Sequence, residues 1–182
     1  MENRLVGVIG AGVMGTGLAQ NLAHSSYNVI LIDVSEDILE RAKDEITKNI
    51  RFQGFFGNKD KRDDPEEILG RITFTTTYEL LKDAYFVVEN VTEKWDIKEE
   101  IYAKLDDVCP DHCIFAANTS AIPITRIGSA TRRPEKVIGM HLMNPVPLKK
   151  MVELIPGYRT SQETIDEAKK FLAGMDKECI IV

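Results

Sequence analysis

The sequence predicts an α/β domain built on a doubly wound, mostly parallel sheet with helices on both faces. Three observations carry that expectation. Short apolar runs of strand length alternate with stretches of helical periodicity along all 182 residues. The runs are continuous rather than alternating in polarity, as strands covered on both faces require. A glycine motif, Gly10-x-Gly12-x-x-Gly15, follows the first run at once, and Asp33 closes the second, 18 residues after Gly15.

The elements follow in order. Residues 5–9 (LVGVI) form the first strand, and a helix is expected from about residue 14 to residue 24. Residues 29–32 (VILI) give the second strand, after which Ser35 is placed to cap a helix with Ile38, Leu39, Ala42 and Ile46 on one face. The polar, charge-rich stretch 51–67 (RFQGFFGNKDKRDDPEE) predicts a projecting loop or helical hairpin. Strands are expected at 72–76, 85–90, 113–118, 137–142, 151–155 and 179–182. Ile97, Ile101, Leu105 and Val108 mark an amphipathic helix between 85–90 and 113–118. A capping box from Thr160 to Glu163 opens the last helix, and Gly174 closes it.

Composition narrows the function. A formal charge of −6 and an isoelectric point near 5.2 argue against nucleic acid or an anionic membrane surface as partner. Three cysteines, Cys109, Cys113 and Cys179, are an odd count and point to a reducing cytoplasm rather than a disulfide framework. Residues 5–32 lack charge, but five glycines and several polar side chains interrupt them, which argues against a membrane span or signal. The CPDHC stretch at 109–113 fits no common zinc spacing, and no metal is expected.

The glycine motif lies where a strand meets a helix, the Rossmann arrangement. Gly10 allows the tight turn, Gly12 lets the backbone approach a pyrophosphate, and Gly15 lets helix and strand pack closely. Val13 and Met14 open the helix inside the motif, whose N-terminal N–H groups and dipole attract phosphate. Asp33 can accept hydrogen bonds from an adenosine ribose. No arginine follows it in DVSED, so NAD is preferred to NADP as cofactor.

Four stretches, VIGAGVMGTGLA, VVENVTEKWDIK, NTSAIPITRI and GMHLMNPVPLKKMVE, together resemble the NAD-binding domain of the 3-hydroxyacyl-CoA dehydrogenases, including the 3-hydroxybutyryl-CoA enzymes. The resemblance covers nearly the whole chain. It implies His141 as catalytic base, Glu153 as the carboxylate that orients it, Ser120 as a substrate-binding hydroxyl and Asn144 in the same pocket. It also implies that Asp33, Glu93 and Lys98 contact the cofactor and that Asn118 lines the nicotinamide region. Histidine titrates near neutrality, as a base for a secondary alcohol must, and His141 ends a candidate strand where such sheets bind ligands.

The implied partner is a small acyl thioester on coenzyme A or acyl carrier protein. Family members continue into a helical C-terminal domain that makes a homodimer and completes the acyl pocket. The chain ends at Val182, so that domain is expected to be missing and residues 1–182, alone, to be inactive. The mixed charges of 51–65 match a coenzyme A grip poorly. NVTEKWDIK and NTSAIPITR look closer to the branch acting on carrier-protein-bound hydroxyacids for polyketide extender units. Two further readings stay open. One is a non-catalytic NAD-binding or crystallin-like protein. The other is a dehydrogenase of the 6-phosphogluconate or 3-hydroxyisobutyrate kind, in which a lysine would be the catalytic group.

Overall fold

The computed structural model describes residues 5–56 and 64–182, without the side chains of 53–56. Of the charged tip expected to project, Lys59, Asp60, Lys61, Arg62 and Asp63 lie outside the described residues. What is described beside it is helical: α2 runs Glu36–Phe56, and Asp64 caps the short α3, Pro65–Leu69, by accepting from the Glu66 N–H.

Eight strands form one sheet in the order β3-β2-β1-β4-β5-β6-β7-β8. They are β1 Leu5–Ile9, β2 Asn28–Ile32, β3 Ile72–Thr75, β4 Phe86–Glu89, β5 Ile114–Ala117, β6 Val137–His141, β7 Met151–Pro156 and β8 Glu178–Ile181. All neighbours are parallel except β6 and β7. A parallel return needs a long crossover, usually helical. The link 142–150 contains no helix and turns through the Asn144–Pro145 bond, so β7 comes back antiparallel. Between β1 and β4 the strand order reverses, and the crevice at their carboxyl ends is the ligand position of such sheets.

Period-two alternation sends side chains to two cores. Val6, Val8, Leu31, Phe86, Val88 and Met140 face α1 (Val13–His24), α2 and α6 (Gln162–Ala173). Phe86 stacks on Phe171 of α6, with ring centroids 4.1 Å apart. Ile9, Ile32, Val87, Phe115 and Val137 face α4 (Trp95–Val108) and α5 (Ile124–Ser129).

Two details differ from expectation. The cap of α6 is Ser161, whose hydroxyl accepts from the Thr164 N–H, one residue later than the expected box. Thr160 is engaged elsewhere: its hydroxyl donates to the Val137 carbonyl and accepts from the Gly157 N–H, tying the end of β7 to the start of β6. On α4, Ile101 and Leu105 are buried as expected, but Ile97 is 40% exposed. The same helix buries Lys98, Tyr102 and Asp106, which an apolar pattern does not reveal.

Candidate active site

The glycine loop leaves β1 with Gly10 at φ +92°, a conformation that disfavours any Cβ. A Cβ at Gly15 would stand 1.8 Å from the Gly10 carbonyl oxygen, so α1 packs on the loop only through glycine. At Gly12, by contrast, a Cβ would meet nothing within 4 Å. Glycine there leaves open space before the first N–H groups of α1, where a pyrophosphate fits. Val13 is exposed at that end, while Met14 packs against the core.

Asp33 stands across the loop. Its Oδ2 accepts from the Ala11 N–H at 2.7 Å and its Oδ1 from the Val34 N–H at 2.8 Å. The carboxylate therefore braces the glycine loop and also borders a cleft of about 410 Å³. Ile38, Tyr78, Val91, Thr92 and Ile97 complete the apolar walls, a slot suited to a flat base. Burial, with the charges of Asp33 and Glu89, raises the Tyr78 phenol above its usual range. Sequence reasoning missed Tyr78 and took Ile97 for core; its cleft-facing position was not marked by any break in the helical stripe.

At the other end of the crevice, His141 and Glu153 are direct cross-strand partners in the antiparallel β6–β7 pair. Opposite residues share one face of a sheet, so the reversal of β7 is what brings the two side chains together. Glu153 Oε2 lies 2.7 Å from His141 Nδ1, and Ser120 Oγ lies 2.9 Å from Nε2. A carboxylate only accepts, so Nδ1 carries the hydrogen, and in the neutral imidazole the Nε2 lone pair then faces Ser120. Asn118 locks the strand ends around them: its Oδ1 accepts from the Leu142 N–H at 3.2 Å, and its Nδ2 donates to Asn90 at 2.9 Å.

The remaining candidates separate. Asn144 is exposed and lines a groove of about 480 Å³ with Val13, Gly17, Gln20, Asn49 and Phe52. Glu93 accepts from the Thr119 hydroxyl and from the N–H groups of Ser120 and Ala121. Burial pushes its carboxyl up, but those hydrogen bonds and the charge of Lys98 outweigh it, holding it below the ordinary range. Lys98 is fully buried, its Nζ 2.7 Å from both Glu89 oxygens and 3.4 Å from Glu93. Its ammonium therefore bridges Glu89 and Glu93, and through Glu93 it is tied to the 119–121 turn. Among the described residues no His/Cys/Asp/Glu cluster suits a metal, and no helix is long and apolar enough to cross a membrane.

A glycine-loop crevice and a hydrogen-bonded serine–histidine–carboxylate set, both at the carboxyl edge of the parallel sheet, define a Rossmann-type dinucleotide-binding domain. The model of the 3-hydroxyacyl-CoA dehydrogenase NAD-binding domain matches residues 5–182, and the chain belongs to that family. The cofactor is accordingly NAD, and the glycine loop and Asp33 fit it. The chain is 45% identical, over 87% of its length, to a probable 3-hydroxybutyryl-CoA dehydrogenase of Deinococcus radiodurans, of which it covers 56%. It is 38% identical over its whole length to a Bacillus subtilis protein of the same description, covering 63% of it. In structure it superimposes on (S)-3-hydroxybutyryl-CoA dehydrogenase of Ralstonia eutropha with a TM-score of 0.92, at 33% identity, over all of this chain and 64% of the other. The chain thus spans less than two thirds of the length of these relatives.

Proposed function

We propose that the protein interconverts a 3-hydroxyacyl thioester and its 3-oxoacyl form, with His141 as general base and acid. The observation that carries this reading is the placement of His141 Nε2, backed by Glu153 on Nδ1 and facing Ser120 beside the cofactor crevice.

NAD supplies the hydride acceptor when bound. The chain's own residues handle the proton and the geometry. A substrate hydroxyl entering beside Ser120 would be held by the serine and would give its proton to Nε2. The imidazolium so formed is stabilised by Glu153 across the 2.7 Å contact. In the reducing direction the same nitrogen returns the proton to the oxygen. The groove bordered by Asn144, three residues after His141 in the chain, offers amide and apolar walls, fitting the carrier arm of a thioester.

The names of the relatives favour coenzyme A as carrier. The test is oxidation of NADH by the gene-encoded protein with 3-oxobutyryl-CoA, with longer 3-oxoacyl-CoA chains and with the same acyl groups on acyl carrier protein. Turnover with the CoA thioesters is expected. Turnover with the carrier-protein thioester alone would move the carrier assignment, and none with any would refute the reading.

A further inference from the structure

The buried face of α4 holds a charge cluster that the proton transfer does not use. Glu89, the last residue of β4, is fully buried, and both its oxygens lie 2.7 Å from Lys98 Nζ. The Tyr102 hydroxyl donates to Glu89 at 3.3 Å, and the Val91 N–H donates at 2.7 Å. Lys98 then reaches Glu93 at 3.4 Å. Glu93 in turn receives the Thr119 hydroxyl and the Ser120 and Ala121 N–H groups, the latter two at 3.2 Å each. Ser120 ends the series on His141 Nε2.

We infer that the Glu89–Lys98 pair, steadied by Tyr102, is a positioning element for Ser120: it fixes Glu93, and Glu93 fixes the 119–121 turn that presents the hydroxyl to His141. The inference rests on Ser120 and His141 being the reaction centre. Fold stability alone explains the pair poorly, because a buried ion pair roughly breaks even against apolar packing of the same volume. Burial raises the Glu89 carboxyl above its usual range in spite of the charge and hydrogen bond of Lys98, so desolvation outweighs the attraction. What the pair does supply is a fixed cation under an otherwise half-exposed Glu93. Without that cation only the turn's own three donors hold the carboxylate, so Glu93 and the turn can shift together away from His141.

The experiment compares Glu89→Gln, Lys98→Met and the double variant with Ser120→Ala and wild type. Each protein is measured for thermal unfolding, for the nitrogen resonance of His141 Nε2 without NAD or substrate, and for kcat and KM. Each single variant should melt earlier, because it strands a buried group. The double variant should regain most of that stability. Its kcat should stay down about 10²-fold with KM little changed, as loss of alignment without loss of contact predicts. Its Nε2 resonance should move to the Ser120→Ala position. Glu93→Gln, at a partly exposed site, should move the resonance in the same way, with thermal unfolding showing that the variant is folded. A double variant with wild-type kcat, or an unmoved resonance in Glu93→Gln, overturns the inference while the site stands. Wild-type kcat in Ser120→Ala would instead bring down the reading of the site and the inference with it.

Discussion

Asp33 has two tasks at once. It braces the glycine loop through the Ala11 N–H and offers its acceptor edge to the cofactor crevice. Replacing it by alanine should weaken NADH binding by roughly tenfold or more, the usual loss when a charged hydrogen-bond partner is removed. Discrimination against NADPH should collapse as well, since no carboxylate then repels a 2′-phosphate. Titration calorimetry with both nucleotides checks this; an unchanged preference would show that the loop backbone sets it. Asp33 and the glycines were legible in the sequence because the ligand demands those residue types at fixed spacing. The burial of Lys98 and Tyr102 and the exposure of Ile97 were not, because helical periodicity gives the face of a residue and not its depth. The resemblance named Lys98 as a cofactor contact, and only the packing of α4 on β4 shows that Glu89 takes it inside.

Among the elements, the end of α4 is held by two arginines from a distant turn, the exposed Arg132 on Asp106 and Asp107 and the buried Arg133. The Arg133 guanidinium pairs with Asp106 at 2.7 Å and donates to the carbonyls of Asp106 and Cys109, acceptors that the helix end leaves open, and to that of Pro110 just beyond it. Both charged groups are buried, so Arg133→Ala should destabilise the protein, but by less than the ~3–5 kcal/mol of a fully stranded buried charge, because the Arg132 guanidinium and N–H still reach Asp106. Arg133→Lys should recover little of it, since one ammonium cannot cover the spread of a planar fork. Denaturant unfolding measures both, and an alanine variant as stable as wild type would show that the helix end needs no staple. Sequence patterns found each long element here but not α5 or this staple. Six residues are too few for a periodicity, and the Asp106–Arg133 pair is joined across 27 positions.

At the scale of the molecule, the candidate site is a consequence of topology. The order reversal beside β1 opens the cofactor crevice, and the antiparallel return of β7 sets Glu153 opposite His141. The alternation of strands and helices made the sheet legible in advance. The return did not show in the sequence, because it depends on a link too short for a crossover rather than on a pattern within β7. The family resemblance supplied the His141–Glu153 pairing; register supplies its physical reason.

The most direct test of the central claim is steady-state oxidation of NADH by a 3-oxoacyl-CoA, catalysed by the gene-encoded protein with His141 intact and replaced by alanine. NADH affinity is measured in parallel. The account predicts unchanged affinity and a kcat lower by about 10²–10⁴-fold, the range for loss of a general acid–base group. Equal turnover by the two proteins would contradict it, because the proton would then have a route that does not pass through His141.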